Sequence, residues 1–201
     1  MAPTAPRADA PRGLTVLALL ALAAPAARGD EGPGLRFVPP EFPLPALKSL
    51  TLTPPDDPGP GAAAHRPLAA VTEYARTLKL PGEGPYAVWW QPREGKAIPL
   101  LRDVRAEDDA VREVRLADHL GVVRVRGRDL PRAEFLVLTP PDDPGPDEQG
   151  HAPVQTARDY RQEMAVPPGF YAVWMKPANG SRAQRIERKV RVLPGKVLDL
   201  D

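Results

Sequence analysis

Short apolar stretches separated by turn residues recur along the chain, and two of them are especially rich in aromatic and β-branched side chains. Residues 86–90 and 171–175 read YAVWW and YAVWM, and proline and glycine residues flank them. This composition predicts central β-strands. Charged and apolar side chains alternate over residues 185–192, which predicts a half-buried strand. The pair Asn179-Gly180 precedes that strand and predicts a tight hairpin turn.

The same pattern of stretches occurs twice. The run TLTPPDDPGP at residues 51–60 returns as VLTPPDDPGP at residues 137–146, an offset of 86 positions. Single histidines, tyrosines and prolines further along recur at the same offset or at one residue less. A repeat of this length predicts two tandem domains and not a solenoid unit. We therefore divide the chain into copy one, residues 30–119, and copy two, residues 120–201.

Comparison of the copies resolves an ambiguity after the central strand of copy one. Residues 101–120 have valines near helical spacing and are followed by a glycine that could end a helix. The matching residues 190–200 of copy two contain Pro194-Gly195 in their middle. Proline in a helix interior costs about 3 kcal/mol. Strand, turn and strand is the prediction that both copies can share.

A second ambiguity stays open because both copies show it. Apolar residues recur at helix-like steps in residues 68–80 and 154–166, yet the ends of both segments alternate and stop at Pro81 and Pro167. We favour a strand that ends at the proline, with a helical turn before it as an option.

About six short strands per copy, with turn signals between them, predict an all-β fold of two tandem Ig-like or transthyretin-like β-sandwich domains. Copy two carries the runs AVPPGFYAV at residues 165–173 and RKVRVLPGKVLDL at residues 188–200. These runs resemble the carboxypeptidase regulatory-like domains. The resemblance implies a transthyretin-like sandwich that serves as a non-catalytic accessory or structural module, and it carries over no functional residues.

Residues 1–29 have the features of an export signal. Arg7 and Arg12 precede an apolar run at residues 14–24 that is too short to span a bilayer, and small residues follow it. We expect cleavage near Gly29, which predicts a secreted or periplasmic protein with no stable membrane anchor after cleavage. An uncleaved N-terminal anchor is the alternative.

Composition adds three constraints. The chain has no cysteine, so an exported form must be held together by core burial alone. Its 28 prolines far exceed the usual share of about 5%, which indicates many turns and extended segments. The formal charge is +1, and it becomes −1 without residues 1–29, whose three arginines and one aspartate carry a net +2. A near-neutral chain predicts no nucleic-acid partner.

The PPDDPGP runs and the histidines after them are secondary candidates for a metal site, because hard cations prefer several carboxylate and carbonyl oxygens. The candidate ligands are Asp56, Asp57, Asp142, Asp143, His65 and His151. One histidine and two adjacent carboxylates per copy are few for a metal site. We favour a rigid proline-glycine turn, with the histidines in a loop hydrogen-bonding role, and predict no cofactor.

The aromatic residues of the central strands are the candidate binding residues. Trp89 and Trp174 lie on the opposite strand face from Tyr86 and Tyr171, so one of the two faces should be core. We favour indoles packed under a loop or against the sister domain. The alternative is an exposed tryptophan face that stacks on the sugar rings of a polysaccharide.

No constellation typical of an enzyme is present. The two serines, Ser49 and Ser181, have no repeat partner, and the acidic cluster at residues 107–109 is not repeated in copy two. Basic residues within 182–191 could meet an anionic polymer, but copy one has mixed charges there, which favours a solvated face. The sequence therefore predicts an exported, non-enzymatic structural or protein-binding protein whose partner is a protein or a cell-surface polysaccharide. A carbohydrate-binding module is the alternative.

Overall fold

The computed structural model describes residues 32–106, 110–127 and 130–201. The expected export signal at residues 1–29 and the acidic cluster at 107–109 lie outside these residues. The described chain is all-β, and its only helical element is one short 3-10 turn, Leu116–Asp118. Within the same ranges, no helix has the length and apolar character needed to cross a bilayer.

The described part of copy one forms seven strands in two sheets. The strands are β1 (Gly34–Val38), β2 (Leu47–Thr53), β3 (Ala69–Val71), β4 (Leu78–Lys79), β5 (Tyr86–Pro92), β6 (Ile98–Val104) and β7 (Val111–Arg115). One sheet has the order β4-β1-β7 and the other has the order β3-β2-β5-β6. β1 runs parallel to β7, and the other neighbours are antiparallel.

Copy two has the same arrangement. Its strands are β8 (Gly121–Val125), β9 (Ala133–Thr139), β10 (Gln155–Ala157), β11 (Met164–Val166), β12 (Gly169–Pro177), β13 (Gln184–Val192) and β14 (Val197–Leu200). The sheet orders are β11-β8-β14 and β10-β9-β12-β13, and β8 runs parallel to β14. Each strand of copy two therefore corresponds to the strand of copy one whose number is lower by seven.

Alternating apolar side chains from both sheets of a copy meet in one buried cluster. In copy one, Leu35 and Phe37 of β1 share this cluster with Leu50 of β2 and Trp90 of β5. Trp90 is fully buried, and its indole N–H donates to the Tyr74 hydroxyl at 2.9 Å. Two sheets around one core, with period-two alternation along each strand, are consistent with a β-sandwich.

The strand predictions for the central segments are confirmed. Residues 86–90 and 171–175 lie in β5 and β12, which are interior strands of their sheets. The described residues within 101–120 form the end of β6, then β7 and the 3-10 turn, in place of the helix that the valine spacing suggests. β12 and β13 form the predicted hairpin, and Gly180 in their connection has φ of +80°.

The segments at 68–80 and 154–166 each form two short strands where we expected one. In copy one, β3 joins the four-stranded sheet and β4 joins the three-stranded sheet, so the chain crosses from one sheet to the other. This crossing explains the helix-like spacing. The side of the chain that faces the core differs between the two sheets, so the apolar positions do not keep a period of two through the crossing. The predicted end is confirmed in copy two, since β11 stops at Val166, directly before Pro167. In copy one β4 ends at Lys79, so Leu80 separates the strand from Pro81.

The β5–β6 hairpin of copy one contacts the start of β10 in copy two. The Lys96 backbone N–H donates to Gln155 Oε1 at 2.7 Å, and the Gln155 amide donates back to the Lys96 carbonyl at 3.3 Å. Gln155 is 2% exposed. A side-chain carbon at Gly95 would lie 2.3 Å from Gln155 Oε1, so the hairpin tip approaches as closely as a glycine permits.

We expect Gln155→Ala to lower the free energy of unfolding by about 1–3 kcal/mol, because it removes the partner of the part-buried Lys96 backbone groups and of the buried Ala165 carbonyl. Urea denaturation of the full chain measures this change. Gln149→Ala, at an exposed position, is the control and should stay within about 0.5 kcal/mol of the wild type. Equal effects of the two substitutions would show that the contact between the copies contributes nothing to stability.

Candidate functional site

The repeated PPDDPGP run begins a loop that lies over the outer face of the four-stranded sheet in each copy. We call residues 54–66 and 140–152 the capping loops. Each opens with a turn in which an aspartate N–H donates to a proline carbonyl three residues earlier, at 3.2 Å in both copies. Gly59, at the predicted second corner of the next turn, has φ of +95°, a conformation that glycine adopts without strain.

One buried aspartate holds each capping loop together. Asp57 is 3% exposed, and its Oδ1 accepts hydrogen bonds from the Gly59 N–H at 2.7 Å and from His65 Nδ1 at 2.8 Å. Its Oδ2 accepts from the backbone N–H of Arg66. An ionised carboxylate only accepts hydrogen bonds, so Nδ1 carries the proton in this pair. The two ends of the loop are thereby joined through a single side chain.

Copy two repeats this hydrogen-bond set. Asp143 Oδ1 accepts from the Gly145 N–H at 2.8 Å and from His151 Nδ1 at 2.9 Å, and its Oδ2 accepts from the Ala152 N–H at 2.7 Å. Burial alone raises the pKa of the Asp143 carboxyl, but the hydrogen bonds from His151 and the two backbone amides outweigh it and hold the pKa below its ordinary value of 3.8. The same opposing causes lower the pKa of Asp57. Both carboxyls are therefore ionised at neutral pH.

Each capping loop covers a tryptophan. The indole N–H of Trp89 donates to Thr53 Oγ1 at 3.2 Å, and that of Trp174 donates to Thr139 Oγ1 at 3.1 Å. A side-chain carbon at Gly59 would lie 2.6 Å from the Trp89 ring, so the glycine backbone rests directly on the indole. The two indoles are only 7% and 8% exposed.

The expectation of indoles packed under a loop is confirmed, and the alternative of an exposed tryptophan face is wrong. Stacking on a sugar ring needs an open indole face. Here the capping loop occupies that face in both copies.

The two candidate tyrosines do not lie beside the tryptophans. Tyr171 is on the inner face of β12, in the core cluster of copy two, and its hydroxyl donates to the Pro167 carbonyl at 2.7 Å. Burial raises the pKa of Tyr171. Tyr86 is half-buried and packs against the core cluster of copy one. The four aromatic candidates are therefore divided between two faces of each sheet and do not form one site.

The metal candidates of each copy do not meet in one set of ligands. Asp56 is exposed and forms an ion pair with Arg66 at 3.0 Å, while Asp57 bonds to His65. Asp142 is exposed in copy two. Among residues 32–106, 110–127 and 130–201, no three histidine, cysteine, aspartate or glutamate side chains are grouped so that they could hold a metal ion.

A carboxylate that orients a histidine is part of many catalytic triads, which also need a nucleophile next to the other ring nitrogen. The two serines lie elsewhere. The Ser49 hydroxyl forms hydrogen bonds with Thr51 of β2 and Gln91 of β5. The Ser181 backbone N–H donates to the Asn179 side chain in the β12–β13 connection. The described contacts of His65 and His151 confirm the loop hydrogen-bonding interpretation.

Sequence reasoning missed two features of this region. Thr53 and Thr139 were visible as repeated threonines before each run, but their role depends on an indole that lies 36 and 35 residues further along. Copy two has an additional contact, in which the Arg185 guanidinium lies 4.3 Å from the centre of the Trp174 ring. Pro99 holds the matching position in copy one.

No family model, curated protein or solved structure matches this chain. The fold and the site together define an all-β protein with two copies of one loop-capped sheet arrangement.

Proposed function

We propose that the chain is an exported, non-enzymatic structural or protein-binding protein built from two tandem β-sandwich modules of the transthyretin-like kind. The observation that carries this proposal is the matched use of the candidate residues in both copies. The aspartate, histidine and tryptophan that could perform chemistry are all engaged in the same loop-fastening hydrogen bonds.

The hydrogen bonds that hold both capping loops in place limit what these residues can do chemically. A catalytic site needs groups that are free to exchange protons or to contact a substrate. Asp57 and Asp143 are buried and accept three hydrogen bonds each, and the indoles are covered. This arrangement keeps a loop rigid on a sheet, which suits a module whose surface and shape are its function.

Substitution of both histidines tests the proposed function. We expect His65→Gln combined with His151→Gln to lower the melting temperature by about 2–8 °C, because each loop loses one charge-assisted hydrogen bond. Neither the variant nor the wild type should hydrolyse ester, peptide, glycoside or phosphate substrates, and the bound metal content of the two should be equal. Calorimetry, chromogenic assays and elemental analysis measure these three properties.

His119→Gln is the matched control, because His119 is half-buried and its described hydrogen bond is through the backbone N–H. Its melting temperature should equal that of the wild type. Turnover by the wild type that disappears in the double variant, while both proteins remain folded, would overturn the non-enzymatic proposal. The intact mass of protein recovered from the producing cells tests export. It should correspond to a chain that begins at Asp30, and a chain that retains residues 1–29 would contradict cleavage.

A further inference from the structure

The edge strand of copy two and the connection before it carry a row of exposed cations. We call this row the basic stripe. It consists of Arg182, Arg185, Arg188, Lys189 and Arg191, and all five residues are exposed. β13 is the outermost strand of the sheet β10-β9-β12-β13. Glu187 is the single acidic residue between the ends of the stripe.

Aromatic rings hold three of these cations in place. Arg185 lies over Trp174 and also donates to the Asp143 carbonyl at 3.3 Å. The Lys189 ammonium is 4.7 Å and the Arg191 guanidinium 5.9 Å from the centre of the Phe170 ring. Phe170 and Trp174 are four residues apart in β12 and therefore face the same side of the sheet. Side chains that are already held in position lose less rotamer entropy when a ligand binds.

Copy one shows that the fold forms without the two middle cations of the stripe that contact aromatic rings. Pro99 and Asp103 stand where copy two has Arg185 and Lys189, and Pro85 stands where copy two has Phe170. Copy one keeps cations at the three other matching positions, which are Lys96, Arg102 and Arg105. The strand order is nevertheless the same in both copies. Arg185, Lys189 and the exposed Phe170 are therefore additions of copy two to the module.

The shape and composition of the stripe favour one class of ligand. Stable protein interfaces bury about 800 Å² per partner around a core that is poor in charged residues, and this surface is a single row of charges. Single-stranded nucleic acids stack their bases on several open aromatic rings, whereas Phe170 is 49% exposed and Trp174 only 8%. A linear polymer with regularly spaced carboxylates and apolar ring faces fits both the charges and the one open ring.

We propose that the basic stripe binds an acidic polysaccharide. The carboxylates of a polyuronate chain contact Arg185, Lys189 and Arg191, and a sugar ring contacts the open part of Phe170. Between residues 185 and 191 the contact is about 20 Å long at about 3.3 Å per residue. This ligand goes beyond the proposed structural function and does not depend on it.

The test measures binding of alginate oligosaccharides to the full chain at about 50 mM and about 0.5 M salt, because salt screens exposed charges. Binding is expected at low salt and should weaken at high salt. The variant Arg185→Gln/Lys189→Gln/Arg191→Gln is expected to bind about tenfold more weakly or worse, since it removes three exposed charge pairs. Lys189→Gln/Arg191→Gln leaves the Asp143 contact intact and should still weaken binding severalfold, which keeps the test valid if the triple variant does not fold.

The matched control is Arg102→Gln/Arg105→Gln/Arg115→Gln, which removes three exposed cations from copy one and leaves the same net charge. Its affinity should stay within about twofold of the wild type. Equal weakening in the control would overturn the assignment, because binding would then follow net charge alone. Absence of alginate binding at low salt, or tighter binding of poly-glutamate or of single-stranded DNA, would also overturn it. None of these outcomes bears on the non-enzymatic proposal, which has its own assays.

Discussion

Gly59→Ala is expected to lower the free energy of unfolding by about 3–5 kcal/mol. Two costs add at this position. Gly59 has φ of +95°, where a residue with a side chain is strained by about 1–3 kcal/mol. The new carbon would also lie 2.6 Å from the Trp89 ring, and overpacking of this kind costs about 1–3 kcal/mol more. Urea denaturation followed by tryptophan fluorescence measures the change.

Gly61→Ala is the control for this prediction, because it isolates the backbone cost. Gly61 has nearly the same φ, +97°, and a side-chain carbon there would meet no atom within 4 Å. Gly61→Ala should therefore lower the free energy of unfolding only by the backbone strain of about 1–3 kcal/mol. If Gly59→Ala and Gly61→Ala destabilise the chain equally, the capping loop does not rest on the indole. A further check is Gly59→Ala in a Trp89→Phe background, where the smaller ring leaves room and the substitution should cost less.

Asp143→Ala is expected to lower the free energy of unfolding by about 3–5 kcal/mol at neutral pH. The substitution leaves the N–H groups of Gly145 and Ala152, together with His151, without the acceptor that joins them. Asp142→Ala, one residue earlier and exposed, is the control and should change stability by less than about 0.5 kcal/mol. Similar losses from the two neighbours would show that the carboxylate does not fasten the loop.

Acid should remove the same stabilisation from the wild type. The pKa of Asp143 is lowered in the folded protein, so its contribution is present above the unfolded-state value of 3.8 and is lost as the pH falls through the lower folded-state pKa. Asp143→Asn lacks this titrating group. Its stability should therefore fall less steeply than that of the wild type below about pH 4. If the unfolding free energies of the two proteins fall in parallel with pH, ionisation of Asp143 is not the source of the stability that acid removes.

The repeat made one strand assignment possible, because copy two removed an ambiguity in copy one. Pro194 in copy two excluded a helix at residues 101–120 of copy one, and β6 and β7 are found there. The repeat could not resolve residues 68–80, since both copies have the same pattern. Only the positions of β3 and β4 in different sheets explain that spacing.

The residues of the candidate site could be predicted from the sequence, but the contacts between them could be predicted only in part. The sequence showed that Asp57, His65 and Trp89 each recur, and it favoured a covered indole. It could not show that Asp57 joins Gly59 to Arg66, because that contact spans a loop whose path is set by the sheet beneath it. The cation contacts of Phe170 and Trp174 were likewise hidden, since they form across neighbouring strands.

The sequence by itself determined most of the β-strands of this protein, their division into two matching sets and the turns between them, but not the paired short strands at residues 68–80 and 154–166. These properties follow from local backbone restrictions by proline and glycine and from period-two alternation. The tertiary structure decided which aromatic faces are open. Burial of Trp89 and Trp174 and exposure of Phe170 depend on whether a distant loop folds over that part of the sheet, and this is a long-range packing outcome that local pattern does not encode.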